Sequence, residues 1–205
     1  MPSKKSGMLI VLSGPSGVGK DSVLKLILSN RKDLKLSISY TTRAPRKGEV
    51  DGVDYHFVSR EEFEDLIDNG EMLEYATYCG NYYGTRGFEI DKELSNGNSV
   101  ILEIEVQGAK QVIKKRGDAV SIFILPSSLK ELENRLIGRG LDNSEVINRR
   151  ILEARKEIKS AVNYNYVVVN EKLPNCADDI CKIIDSEYMK SSRCGYIIDE
   201  VLKNE

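Results

Sequence analysis

Short apolar runs alternate along the chain with stretches whose apolar residues fall three and four apart. MLIVLS at 8–13 reads as a buried strand, and DSVLKLILSN at 21–30 as an amphipathic helix. SVILEIEV at 99–106 predicts a second strand, and QGAKQVIKKRG at 107–117 a helix closed by glycine. AVSIFIL at 119–125 and YVVVN at 166–170 predict two further strands, and residues 177–189 carry helical spacing. Strands alternating with helices in this way predict an α/β fold, with a parallel sheet and crossover helices.

Two segments break the alternation. Residues 37–88 hold three strand-like runs, LSISYTTR, VDYHFV and EMLEYATY, around one short helix that opens on the capping box Ser59-x-x-Glu62. That segment is too rich in β pattern for a crossover and predicts an inserted subdomain. Residues 128–156 read as two charged helices meeting at Gly138 and Gly140, where glycine supplies a hinge or a sharp turn. The expected division is therefore a core made of 1–36, 89–127 and 157–205, an insertion at 37–88 and a helical unit at 128–156.

The first strand runs into SGPSGVGKDS. Gly14, Gly17 and Gly19 let the chain curl and turn its N–H groups inward, so that Gly14-x-x-x-x-Gly19-Lys20 can wrap an oxyanion at the positive end of the following helix. Lys20 adds a point charge for the outer phosphates. An ordinary turn between strand and helix accounts for the glycines alone. The lysine at its fixed spacing, with a strand before it and a helix after it, favours the phosphate reading.

Arg43, Arg46 and Lys47 crowd a short loop with Ser39, Thr41, Thr42 and Tyr55. Paired guanidinium donors and nearby hydroxyls suit a second anion, although a solvated basic turn accounts equally well for the loop taken alone. Glu74, flanked by Leu73 and Tyr75, must find donors or stay outside, and Tyr82, Tyr83 and Thr85 follow in the same unit. Glu103 and Glu105, two apart in an apolar strand, share a face and are placed to hold Mg²⁺ or its waters. A solvated strand end is the alternative. Arg135 and Arg139 share a helix face, with Arg149 and Arg150 on the next helix. This is the pattern of a lid that brings positive charge to a transferring phosphoryl group, and salt-bridged surface helices compete with it. His56, the one histidine, sits between Tyr55 and Phe57 and reads as a packed residue.

Composition narrows the partners. The 205 residues are 40% hydrophobic and 30% charged, enough for one buried core, and the net charge of -2 argues against a general nucleic-acid binder. Cys79, Cys176, Cys181 and Cys194 show no CxxC pairing and read as reduced thiols. The amino-terminal MPSKKSG leads into an apolar run too short for a signal peptide or a membrane span. A soluble cytoplasmic protein is expected, with no membrane partner.

Taken together, SGPSGVGK, SYTTRAPR, GEVDGVDYHFV, GNYYGT, LEIEVQG and RLIGRG resemble the guanylate kinase family, in the same order and over about residues 8–190. The resemblance implies a P-loop, three-layer α/β/α fold whose insertion binds GMP and whose helical unit is a lid. It implies transfer of the γ-phosphate of MgATP to GMP, and to dGMP, in purine nucleotide metabolism, by a monomer or homodimer with Mg²⁺ as cofactor.

Carried over by motif, Gly14, Pro15, Ser16, Gly17, Val18, Gly19, Lys20, Asp21, Ser22 and Asn170 match ATP-binding positions, Asn170 near the adenine. Ser39, Arg43, Arg46, Tyr55 and Tyr83 match positions that bind the GMP phosphate, and Glu74 and Thr85 those that read guanine. Glu103 and Glu105 match an acidic pair near GMP and the metal, with Mg²⁺ expected near Asp21 and Glu105 and no direct protein ligand assigned. Lys20, Arg43, Arg135, Arg139 and Arg150 match the transfer and lid positions. Two residues depart from the family pattern: Glu105 stands where Asp is usual, and Asp21 where Ser, Thr or Gly is common. A family-like interaction module without catalysis, and a small-metabolite kinase with another acceptor, are the rival readings. The intact Gly19-Lys20 loop opposes the first.

Overall fold

The first apolar run forms strand β1 (Leu9–Ser13), which is buried at every position because helices cover both of its faces. Its alternate side chains enter two different cores. Ile10 and Leu12 pack with Val23, Leu24 and Ile27 of α1 (Lys20–Asn30) and with Cys176, Ala177, Ile180 and Ile184 of α7 (Leu173–Tyr188). Leu9 and Val11 face Ile90 and Leu94 of α3 (Gly87–Ser95) and Ala109 and Val112 of α4 (Val106–Lys115). The computed structural model describes residues 7–138, 140 and 143–203.

The core sheet runs in the order β2 (Leu34–Leu36), β7 (Ser99–Glu103), β1, β8 (Val120–Pro126), β9 (Tyr166–Asn170), and all of its pairings are parallel. A parallel sheet with helices on both faces is the three-layer α/β/α class. Chain order reverses on either side of β1, and ligands in such sheets bind beyond the carboxyl ends of the strands at that point. The loop after β1, Glu103 at the end of β7 with Glu105 just beyond it, and Asn170 at the end of β9 all lie there.

A second, four-stranded sheet runs β4 (His56–Phe57), β3 (Tyr40–Thr41), β6 (Asn81–Arg86), β5 (Met72–Tyr78). The β3–β4 pair is parallel and the others antiparallel. Helix α2 (Arg60–Asp68) covers it with Phe63, which packs with Tyr40 and Met72. The expected capping box is made: Ser59 Oγ accepts from the Glu62 N–H at 3.1 Å, and Glu62 Oε2 from the Ser59 N–H at 2.7 Å. Helices α5 (Leu129–Gly138) and α6 (Ser144–Lys159) follow β8, and α8 (Gly195–Lys203) ends the described chain.

The strand expected over 99–106 stops at Glu103. Glu105 is instead the extended N-cap of α4 (φ -73°, ψ 162°), so the acids share a cleft without sharing a strand. Strand β2 and helices α3 and α8 were not legible in the pattern. β2 is three residues long, α3 begins where an insertion boundary was expected, and α8 buries none of its residues. All four cysteines are free. Among the described residues, no helix is long and apolar enough to cross a membrane.

Candidate active site

Residues 14–20 join β1 to α1 as a tight loop. Gly17 has φ +90°, and a Cβ there would stand 2.7 Å from Leu136 Cδ2, so helix α5 lies directly on the loop. Gly19 is the left-handed N-cap of α1 (φ 98°), and Lys20 begins the helix. The Lys20 ammonium folds back over the loop and donates to the Gly14 carbonyl at 2.8 Å. From outside, Asn170 Nδ2 and Arg135 Nη1 donate to the Val18 carbonyl at 2.8 and 3.1 Å. Arg135 also donates through Nη2 to the Asn170 carbonyl at 2.9 Å and pairs through Nε with Glu131 at 3.0 Å. Arg135 and Asn170 thus brace the loop between α5 and the end of β9.

Two cavities open side by side at the carboxyl ends of the core strands. The smaller, about 140 Å³, is lined by Gly14, Ser16, Gly17, Gly19, Lys20, Asp21 and Ser22, with Glu105 and Glu157. The larger, about 320 Å³, lies between the two sheets and takes in Ser39, Arg43, Arg46, Glu49, Tyr55, Glu74, Tyr83 and Glu103. Lys20 and Glu105 line both. A bulkier cavity of about 680 Å³ opens at the other end of the sheet, near Gly7, Arg116, Asp118 and Val120. Arg116 there is already paired with Asp91 and Asp118, at 2.7 and 3.1 Å.

In the larger cavity the Arg43 guanidinium forms a fork on Glu49, with both contacts at 2.9 Å. It also lies 5.3 Å from the Tyr55 ring centroid, and Tyr83 meets Tyr55 edge-on at 6.0 Å. Burial, more than any neighbouring charge, raises the Tyr55 hydroxyl above its usual range, so it stays a neutral donor. Thr41 and Thr42, counted among the loop's donors by sequence, are used elsewhere. Thr41 Oγ1 donates to the Tyr82 carbonyl at 2.9 Å, and Thr42 Oγ1 accepts from the Tyr82 N–H at 3.0 Å, joining β3 to β6. Lys47 is exposed and outside the cavity lining. His56 stacks on Tyr40 with ring centroids 4.5 Å apart.

Glu74 is 3% exposed and lines this cavity. Its Oε1 accepts from Thr85 Oγ1 at 2.8 Å. Burial raises its pKa to about 7, against the opposing pull of the Thr85 hydrogen bond and the Lys115 charge. Glu103 is likewise raised, first by burial and then by the neighbouring Asp21 and Glu105, with Lys20 pulling the other way. Carboxylates held this close beside one ammonium suit a site that exchanges charge with a cation and a phosphate chain. Among the described residues no three or more His, Cys, Asp or Glu side chains are grouped to cage a metal.

Of the lid arginines, Arg150 on α6 is close enough to Tyr78 on β5 for its charge to act on that hydroxyl. Arg139 lies outside the described residues. Among the cavity-lining residues that sequence reasoning missed are Glu49, Glu157 and Gly108. Glu49 sits in a turn whose partner is set by chain folding, Glu157 looks like one more charge on a charged helix, and Gly108 has no side chain to notice.

The model of the guanylate kinase family matches residues 6–187. A guanylate kinase of Oceanobacillus iheyensis is 48% identical over 201 residues, covering 98% of both chains. One of Enterococcus faecalis is 55% identical over 188 residues, covering 91% of this chain and 92% of its own. The crystal structure of guanylate kinase from Anaplasma phagocytophilum superposes with a TM-score of 0.76 at 39% identity, covering 93% of this chain and 90% of that one.

Proposed function

The chain belongs to the guanylate kinase family and is an ATP:GMP phosphotransferase, and on that premise we propose how its residues divide the work. The observation that carries the assignment is the pair of cavities sharing Lys20 and Glu105. ATP takes the glycine-loop side, with Gly14, Pro15, Ser16, Gly17, Val18, Gly19, Asp21 and Ser22 around its phosphates and Asn170 towards its base. GMP takes the larger cavity, where Ser39, Arg43, Arg46, Tyr55 and Tyr83 hold its phosphate and Glu74 and Thr85 receive the guanine. The acceptor phosphate oxygen and the γ-phosphate then meet at Lys20, and catalysis is positioning and charge stabilisation.

Glu49 holds the Arg43 fork where a phosphate dianion would bind it. Acceptor binding therefore exchanges a carboxylate for a phosphate on the same guanidinium.

The donor set fits Mg²⁺. Asp21, Glu103 and Glu105 offer hard carboxylate oxygens beside the loop, too few for an all-protein cage and suited to an ion held mainly by phosphate oxygens and water. Bound there, Mg²⁺ would neutralise charge on the outer phosphates. Asp21 is exposed at the first turn of α1. Asp21→Ser is expected to keep turnover at saturating Mg²⁺ within about tenfold, a barrier change of roughly 1.4 kcal/mol, while shifting the Mg²⁺ concentration for half-maximal rate. Collapse of turnover in a folded variant would make Asp21 a required ligand.

We divide the chain into the core (1–36, 89–127, 157–205), the GMP-binding insertion (37–88) and the lid (128–156), with the moving part of the lid beyond Gly138. Leu132 and Leu136 of α5 are fully buried, and Arg135 is bonded to the loop, so that helix acts as a fixed wall. Arg150 and Arg139 would deliver charge on closure. The substrates are the cytoplasm's own guanine and adenine nucleotides, and we place the reaction there, in purine nucleotide metabolism. A coupled assay of ADP release tests the reading. GMP and dGMP are expected to turn over, and AMP and UMP to react slower by a factor on the order of 10³ or more. No turnover with GMP would return the chain to the interaction-module reading.

A further inference from the structure

Helix α4 carries a residue that sets where the base-reading carboxylate can stand. Gly108 is buried in the first turn of α4 and lines the larger cavity. A Cβ at this position would lie 2.1 Å from Glu74 Oε2 and 3.0 Å from Glu74 Cδ. The helix cannot step back to make room, because it is clipped to β5 on both sides of Glu74. Lys115 Nζ donates to the Leu73 carbonyl at 2.7 Å and to the Met72 carbonyl at 3.3 Å. Gln111 Nε2 donates to the Tyr75 carbonyl at 2.6 Å, and Gln111 Oε1 accepts from the Tyr75 N–H at 3.3 Å. The other carboxylate oxygen is held by Thr85.

We propose that Gly108 is a specificity-determining position: its missing side chain is the space that the Glu74 carboxylate occupies, with Gln111 and Lys115 fixing the helix at that distance. The proposal rests on Glu74 as the receiver of guanine. The position also brings a buried acid against the positive end of a helix, which offsets part of the cost of ionising it there. Any side chain at 108 turns Glu74 away from its Thr85 bond and out of line with the two donors of the guanine edge. Gly108 acts only through Glu74 and is a positioning residue.

The test is a double-mutant cycle on the full chain, read with GMP, AMP and ATP. Alanine favours helix over glycine, so a loss in Gly108→Ala does not come from helix propensity. Misplacing a recognition group by about an ångström costs on the order of 10²-fold, so Gly108→Ala is expected to lower kcat/KM for GMP by about that factor. The GMP-over-AMP preference falls with it, and KM for ATP stays within about twofold. In a Glu74→Asp background, whose carboxylate is one methylene shorter, the same substitution is expected to cost less than about threefold, the non-additivity expected of groups in contact. Equal losses in both backgrounds, or GMP constants unchanged in Gly108→Ala, overturn the proposal.

Should Gly108→Ala fail to fold, the double variant is expected to fold because the space is restored, and its failure would also overturn the proposal. Glu74→Gln measured alongside separates the two readings. An unchanged base preference in that variant sinks the role of Glu74, whereas a changed preference with a silent Gly108→Ala sinks only the role of Gly108.

Discussion

Glu74→Gln is expected to lower the GMP-over-AMP ratio of kcat/KM by a factor on the order of 10³–10⁴, the scale on which a site built to pair hydrogen-bond donors rejects a ligand that lacks them. Guanine presents N1–H and its exocyclic amine on one edge, and a carboxylate accepts both. Glutamine keeps the shape but turns one acceptor into a donor, leaving a buried clash at a residue only 3% exposed. The pH profile carries a second signature. Burial raises the Glu74 pKa from 4.5 to about 7, so in the free enzyme the accepting, ionised form is gained as pH rises through about 7. The kcat/KM for GMP should therefore climb through that region, and the limb should vanish in Glu74→Gln. Stability runs the other way. The folded protein holds the Glu74 proton more tightly than the unfolded chain, so this residue's contribution is lost as pH rises from about 4.5 to about 7. An unchanged base preference in Glu74→Gln would mean that guanine is read elsewhere.

Lys20→Met is expected to reduce turnover about a hundredfold or more while leaving the fold intact, because charge developing on the transferred phosphoryl group loses its fixed partner. Methionine matches the lysine stem in reach and supplies no charge. The lysine is only partly buried, and its bond spans the loop to the Gly14 carbonyl. The loop keeps its bracing by Asn170 and Arg135 on Val18, so melting behaviour should change little. Wild-type-like turnover in a folded Lys20→Met protein would remove the glycine loop from the mechanism.

Local pattern by itself determined much of this protein. The apolar runs at β1, β8 and β9 and the amphipathic spacing of α1 and α4 specify an α/β core, since each element must bury a face against its neighbours. The capping box of α2 and the glycines before Lys20 are likewise set by chemistry within a few residues, where backbone N–H groups need partners and a tight turn excludes Cβ atoms. The acids at 103 and 105 and the basic loop at 43–47 stood out as charged groups, but without their geometry. Only the tertiary structure decided which of the crowded donors are spent: Thr41 and Thr42 go to the β6 backbone, and Arg43 is left forked on Glu49. It decided that Arg135 braces the phosphate loop, because Val18 and Arg135 lie more than a hundred positions apart and meet only through the sheet order. It decided, above all, what stands against Gly108: the Glu74 carboxylate. A glycine in a helix carries no signal of its own, and the side chain that fills its space arrives from β5, so a close approach between distant elements is fixed by packing and not by any local preference.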